Sequence, residues 1–171
     1  MRICYSGGKQ AGIIGLLTIL ACGHRVISAV SYSDNLTRLL NILNITNYSH
    51  IGDERFIADL RGAQLLINTH GREIFPNDML RLPWQNFNLH PNLYDYKGAR
   101  SVERGLKDGR EKASVGSHVM TDKVDCGEVL FEEFIDVRDC KTVIEIYNKI
   151  YPLYASVMIK TLKFYQEQEE L

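Results

Sequence analysis

Asn88-Leu89-His90 runs into Pro91, and Asp125 stands two residues before Gly127. An amide can donate to an oxygen that is becoming negative, an imidazole can carry a proton near neutrality, and a carboxylate can act as base or hold the imidazole. Those three groups suit transfer of an acyl group to an amine. His118 lies seven residues before Asp125 and is a further candidate for the same site. Each also has a purely structural alternative. Asn88 and His90 could be a polar strand exit bonded to loop backbone, Asp125 a turn former, and His118 a satisfied strand histidine.

Ser6-Gly7-Gly8-Lys9-Gln10 follows an apolar run and opens a helix pattern. Such a turn can bind phosphate through backbone N–H groups and a helix N-terminus, with Lys9 adding charge. It is neither G-x-G-x-x-G nor a Walker motif, so a plain strand-to-helix turn stays open. Cys126 could be a thiol nucleophile with His90 or His118 as base, but nothing else here fits a thiol enzyme. His70, His90, His118 and Asp125 could in principle hold a metal. No H-E-x-x-H or close histidine pair supports this, and no metal is expected.

The elements that must position these groups alternate in type. Short apolar runs predict strands at Arg2 to Tyr5, Val26 to Val30, Leu65 to Asn68 and Asn86 to Leu89. Between and after them, helical patterns run from Ile13 to Leu20 with Gly23 as a stop, over Leu36 to Leu43, around Phe56 to Leu60, from Pro76 to Leu80, and over Ser101 to Leu106. Ala113 to Met120 and Glu128 to Asp136 read as two further strands on a short loop. Val143 to Tyr165 reads as one long helix, interrupted or kinked at Pro152, before a frayed tail at Gln166 to Leu171. The alternation predicts an α/β fold with a mostly parallel sheet, mixed by an antiparallel hairpin late in the chain. On the last helix, Tyr147, Ile150, Tyr151, Tyr154 and Met158 share one face, read as core or as a surface where two copies could pair as a homodimer.

The chain has 171 residues, 45% of them hydrophobic, which suits a single domain with an ordinary core. Its formal charge of -1, from 20 basic and 21 acidic residues, leaves no basic surplus for a phosphate backbone, so nucleic acid is not an expected partner. The apolar stretch Ala11 to Ala21 is shorter than a membrane span, and no membrane partner is expected. Cys4, Cys22, Cys126 and Cys140 form no C-x-x-C pair, and their sparseness suits a reducing cytoplasm.

The segment Phe87 to Gly98 resembles the N-x-H-P-S-L-L-P-x-x-x-G pattern of the folate-dependent formyltransferases. Val115 to Gly127 is similar to that family's strand whose histidine is followed seven positions later by D-x-G. Leu65 to Pro76 resembles the strand and turn that cradle its pteridine. The resemblance implies a Rossmann-like formyltransferase fold with helices on both faces of the sheet, with residues 1–171 forming one catalytic domain and no separate carboxyl-terminal domain. It implies Asn88, His90 and Asp125 as catalytic residues and 10-formyltetrahydrofolate as co-substrate. Asn68, Gly71, Arg72, Ile74, Phe75, His118, Val124 and Gly127 would face the folate. Ser6, Gly7, Gly8, Lys9, Tyr94 and Lys97 would face a small-molecule primary amine. Where the family has S-L-L-P, this chain has Asn92-Leu93-Tyr94-Asp95, which would bring an acidic group beside the folate or acceptor. In that family, formylation of initiator tRNA relies on an additional domain absent from these residues. The remaining acceptors are a nucleotide-linked amino-deoxy sugar, favoured because Ser6 to Gln10 departs from the ribonucleotide pattern, and glycinamide ribonucleotide. A folate- or nucleotide-binding module without turnover is the non-enzymatic alternative.

Overall fold

The computed structural model describes residues 1–169. Seven strands are present: β1 (Arg2–Gly7), β2 (Arg25–Ser31), β3 (Thr46–Tyr48), β4 (Leu65–Thr69), β5 (Gln85–Pro91), β6 (Lys112–His118) and β7 (Val129–Asp136). The helices are α1 (Lys9–Ala21), α2 (Asp34–Ile42), α3 (Glu54–Gly62), α4 (Asn77–Leu80), α5 (Ser101–Lys107) and α6 (Val143–Glu169). The strands form one sheet in the order β3-β2-β1-β4-β5-β6-β7. The first five are parallel; β6 pairs antiparallel with β5, and β7 pairs antiparallel with β6. This is the mixed, mostly parallel α/β sheet that the alternation of patterns predicts.

Strand periodicity divides the core into two layers. On β1, Ile3 and Tyr5 join one cluster with α1, α2 and α6, whereas Cys4 joins the other with α3 and α4. On β4, Leu65 and Ile67 go with the first layer and Leu66 with the second. A strand buried on both faces needs apolar residues at every position, which is why these central runs are continuous rather than alternating. The same parity on β5 sends Phe87 and Leu89 into the first layer, so Asn86, Asn88 and His90 face the second.

The chain winds outward from β1 to β2 and β3, then returns to place β4 on the other side of β1. The loops after β1 and β4 therefore leave in opposite directions and open a crevice at the carboxyl ends of the strands. β3 is the element without a sequence signal: it has three residues at the sheet edge, of which only Tyr48 is buried. Pro152 does not interrupt α6, which continues through it. The proline lies on the solvent side, where water can take the carbonyl it leaves without an amide partner. The helix also carries Gln166 to Glu169, expected as a frayed tail; Glu170 and Leu171 lie outside the described residues. Among the described residues, no helix is long and apolar enough to cross a membrane.

Candidate active site

Antiparallel pairing sets Asn88 of β5 opposite His118 of β6, and parallel pairing sets it beside Asn68 of β4. Asn88 Nδ2 lies 3.1 Å from His118 Nε2 and 3.2 Å from Asp125 Oδ1. Asp125 arrives from the β6–β7 loop with φ of +52°, a left-handed conformation that an aspartate tolerates better than most side chains. The loop closes tightly: a Cβ on Gly127 would lie 1.8 Å from the Val119 carbonyl oxygen, so only glycine fits there.

Asp125 is the hub. Its Oδ1 lies 3.2 Å from His118 Nε2, and its Oδ2 lies 3.0 Å from His90 Nε2 and accepts from the Gly98 N–H at 2.7 Å. Burial opposes its charge, but hydrogen bonds to His118 and then His90, the His90 charge and the Gly98 N–H outweigh it. The carboxyl is held well below the usual range and stays ionised. His118 Nδ1 donates to the Val119 carbonyl at 2.9 Å, which fixes the ring and turns Nε2 toward the carboxylate. His90 Nε2 also meets the Gly98 carbonyl at 3.0 Å, while its buried Nδ1 has no protein partner.

A cavity of about 590 Å³ opens over this cluster. Its lining includes Gly8, Lys9, His70, Gly71 to Phe75, Leu80, Arg100, Glu103, Met120, Thr121, Val124 and Tyr147. Ile74 is 66% exposed and Val124 46% exposed, yet both line the cavity rather than scattered surface. Apolar side chains beside a few convergent polar groups in a concave site are the usual lining of a small-molecule pocket. The loop after β4 is tied down by Glu73, whose Oε2 accepts from the Tyr32 hydroxyl at 2.6 Å and the Ile51 N–H at 3.2 Å.

The structure thus brings Asn88, His90, Asp125 and His118 together with Asn68, Gly71, Arg72, Ile74, Phe75, Val124, Gly8 and Lys9 around one cavity. It places the other candidates elsewhere. Ser6 and Gly7 belong to β1, buried beneath the cavity, and the Gly8 N–H is committed to the Thr69 carbonyl at 3.1 Å. The Tyr94 hydroxyl donates to the Lys112 carbonyl, and its ring packs edge-on to Phe134. Lys97 reaches Cys126 Sγ at 3.7 Å. Gly127 serves the loop rather than the cavity wall. Asp95 lies outside the lining of this cavity and pairs with Arg110 at 2.6 Å, the turn after Asn92 directing it toward the end of α5.

Several lining residues have little sequence signal. Tyr147 belongs to the helical face read as core, and that face is split: Ile150, Tyr154 and Met158 are buried while Tyr147 reaches the cavity. His70 stands at the end of β4 with φ of +58°, its Nε2 2.6 Å from the Tyr154 hydroxyl. Burial, then the charge of Lys9, then His90 lower its pKa from an ordinary 6.5 to about 4, so it is neutral at physiological pH. Among the described residues, no three His, Cys, Asp or Glu side chains are grouped to hold a metal ion.

Residues 57–162 match the family model described as formyl transferase. The chain belongs to the formyl transferase family. The stretch matched to the formyl transferase model runs through β4 to β7 and into α6, and holds Asn68, Asn88, His90, His118 and Asp125; the Lys9 turn lies before it. Among curated relatives, a methionyl-tRNA formyltransferase of Moorella thermoacetica is 24% identical over 95% of this chain, which spans 58% of that protein's length. The fold matches a phosphoribosylglycinamide formyltransferase from Anaplasma phagocytophilum with a TM-score of 0.85 at 16% identity, over 98% of this chain and 88% of that one. It also matches a sugar 3N-formyl transferase, solved in the presence of dTDP and 5-N-formyl-THF, with a TM-score of 0.78 at 16% identity, over 95% of this chain and 62% of that one.

Proposed function

We propose that this chain transfers a formyl group from 10-formyltetrahydrofolate to a primary amine. The observation that carries this reading is the convergence of Asn88, His90 and Asp125 at the wall of a cavity lined by both apolar and charged side chains. The apolar slot between Ile74, Phe75, Leu80, Met120 and Val124 fits the flat pteridine, and Gly71 and Arg72 complete its rim. As the amine adds to the formyl carbon, Asn88 donates to the oxygen that becomes negative. His90 stabilises or protonates the same oxygen, and Asp125 orients His90 and takes the amine's proton directly or through water. As the oxygen re-forms the carbonyl, the bond from the formyl carbon to the folate nitrogen breaks, and that proton passes to the leaving tetrahydrofolate nitrogen. His118 holds Asp125 from the other side.

The acceptor we favour is the amino group of a nucleotide-linked amino-deoxy sugar. Lys9 and Arg100 line the cavity, where a phosphorylated acceptor would meet positive charge and the amino end of α1. The sugar enzyme with a matching fold, solved with dTDP, is in keeping with this choice. The test is a transfer assay with 10-formyltetrahydrofolate and an amine panel, reading tetrahydrofolate release and product mass. The panel holds nucleotide-linked amino sugars, glycinamide ribonucleotide and methionyl-tRNA. One added formyl group on a sugar nucleotide is the expected result. A product on glycinamide ribonucleotide or methionyl-tRNA would reassign the acceptor. Folate binding with no product on any amine would overturn transfer to these acceptors in favour of a binding module.

A further inference from the structure

We propose that Asn68 is a positioning residue that fixes which end of the Asn88 amide faces the reacting oxygen. The two ends of an amide have almost the same shape, so packing alone does not choose between them. Asp125 is ionised and can only accept, so Asn88 turns Nδ2 toward it at 3.2 Å. Asn88 Oδ1 then points the opposite way, where Asn68 Nδ2 donates to it at 2.9 Å. Asn68 is the β4 residue paired with Asn88 in the parallel ladder, so the sheet register itself delivers that donor.

The orientation of Asn68 carries a cost that identifies what sets it. Its own Oδ1 is buried without a partner, as is Ser6 Oγ nearby. Both atoms face the space that Gly71 leaves open, where a Cβ would lie 2.1 Å from Asn68 Oδ1 and 2.7 Å from Ser6 Oγ. A buried acceptor without a donor is unfavourable, so the local surroundings of Asn68 do not select this rotamer; the demand of Asn88 does. The Asn88 amide is thus held at both ends, its NH2 by the Asp125 carboxylate and its oxygen by Asn68 Nδ2. Were Asn88 reversed, its oxygen would meet the Asp125 carboxylate and present a lone pair where an N–H is needed.

The kinetic part of this inference rests on the formyl-transfer reading; the orientation itself does not. Two variants separate donation from packing. Asn68→Leu keeps the volume but removes the donor, and is expected to lower kcat about tenfold with the folate KM little changed. Asn68→Asp keeps the shape but sets a carboxylate against Asn88 Oδ1, and is expected to lose more at neutral pH. As pH falls, the introduced carboxyl gains an O–H that can donate to Asn88, and the ratio of variant to wild-type rate should rise. The titratable groups around this spot are Asp125, His118 and His90 beyond Asn88, and Tyr32 with Glu73 beyond Ser6. They are present in both proteins, so the ratio isolates the new carboxyl, whose pKa burial and the Asp125 charge both raise. A packing role predicts the reverse order, with Asn68→Asp near wild type at every pH.

The Asn88 side-chain ¹⁵N–¹H₂ signal, assigned by its loss in Asn88→Asp, is read in the same folded variants. It is expected to move in Asn68→Asp at neutral pH and return toward the wild-type position as pH falls. An unmoved Asn88 signal, or wild-type rates in Asn68→Asp throughout, would overturn the proposal. If wild type forms no product with any amine, the reaction reading fails while the amide signal still decides the role of Asn68.

Discussion

Asp125 organises the site because it is a charge held in place by unlike groups. His90 and Gly98 hold Oδ2, while His118 and Asn88 hold Oδ1. Removing one member leaves the rest of the fold packed but deprives the reacting oxygen of its donor or the imidazole of its anchor. Asn88→Ala and Asp125→Ala are each expected to reduce turnover by roughly two orders of magnitude or more, as losses of contacts made in the transition state. Tetrahydrofolate release with the accepted amine measures this. Wild-type turnover in both variants would sink the assigned mechanism.

The loop from Val119 to Glu128 is the element that brings the carboxylate to the sheet. Its ends are joined by the Val119 N–H donating to the Glu128 carbonyl at 2.9 Å, and Gly127 lies against the Val119 carbonyl. Gly127→Ala sets a methyl group against backbone that has no flexible end to yield. The loop must open, which is expected to cost about 1–3 kcal/mol of stability and to move Asp125 out of reach of His90. Gly62→Ala, in α3 with nothing within 4 Å of the added carbon, is the control, expected to leave activity unchanged and stability the same or slightly higher. Thermal unfolding and kcat on both variants make the comparison, and equal behaviour would show that the loop is not under this constraint.

At the scale of the whole molecule, α6 crosses behind the sheet and meets the end of β4 through Tyr154 and His70. His70, half-buried at the cavity wall, is neutral, with a pKa near 4 against an ordinary 6.5. Between those two values the unfolded chain binds a proton that the folded chain refuses. Stability therefore falls as pH drops through that window, by an amount on the order of a few kcal/mol. His70→Asn tolerates the left-handed backbone and does not titrate, so its stability should vary less with pH there. Denaturant unfolding of both proteins across the window is the measurement; parallel pH profiles would reject His70 as the source.

Much of this molecule is written in its local sequence. The alternation of short apolar runs with helical patterns was enough for an α/β sheet, because a strand buried on both faces admits few polar residues. Asn88, His90, His118 and Asp125 were legible by type and order, since each lies at a strand end or beside a glycine whose turn is itself a local signal. β3 was not legible, because three residues at a sheet edge bury too little to leave a pattern. Tyr94, Lys97 and Asp95, expected near the ligands from the resemblance, lie outside the cavity lining; the turn after Asn92 leads Tyr94 to Lys112 and Phe134 and Asp95 to Arg110. The meeting of Asn68 with Asn88, and of both with Asp125, belongs to tertiary structure alone. It depends on ladder register and loop closure between segments far apart in the chain, and a shift of one residue in either strand would face these amides away from one another.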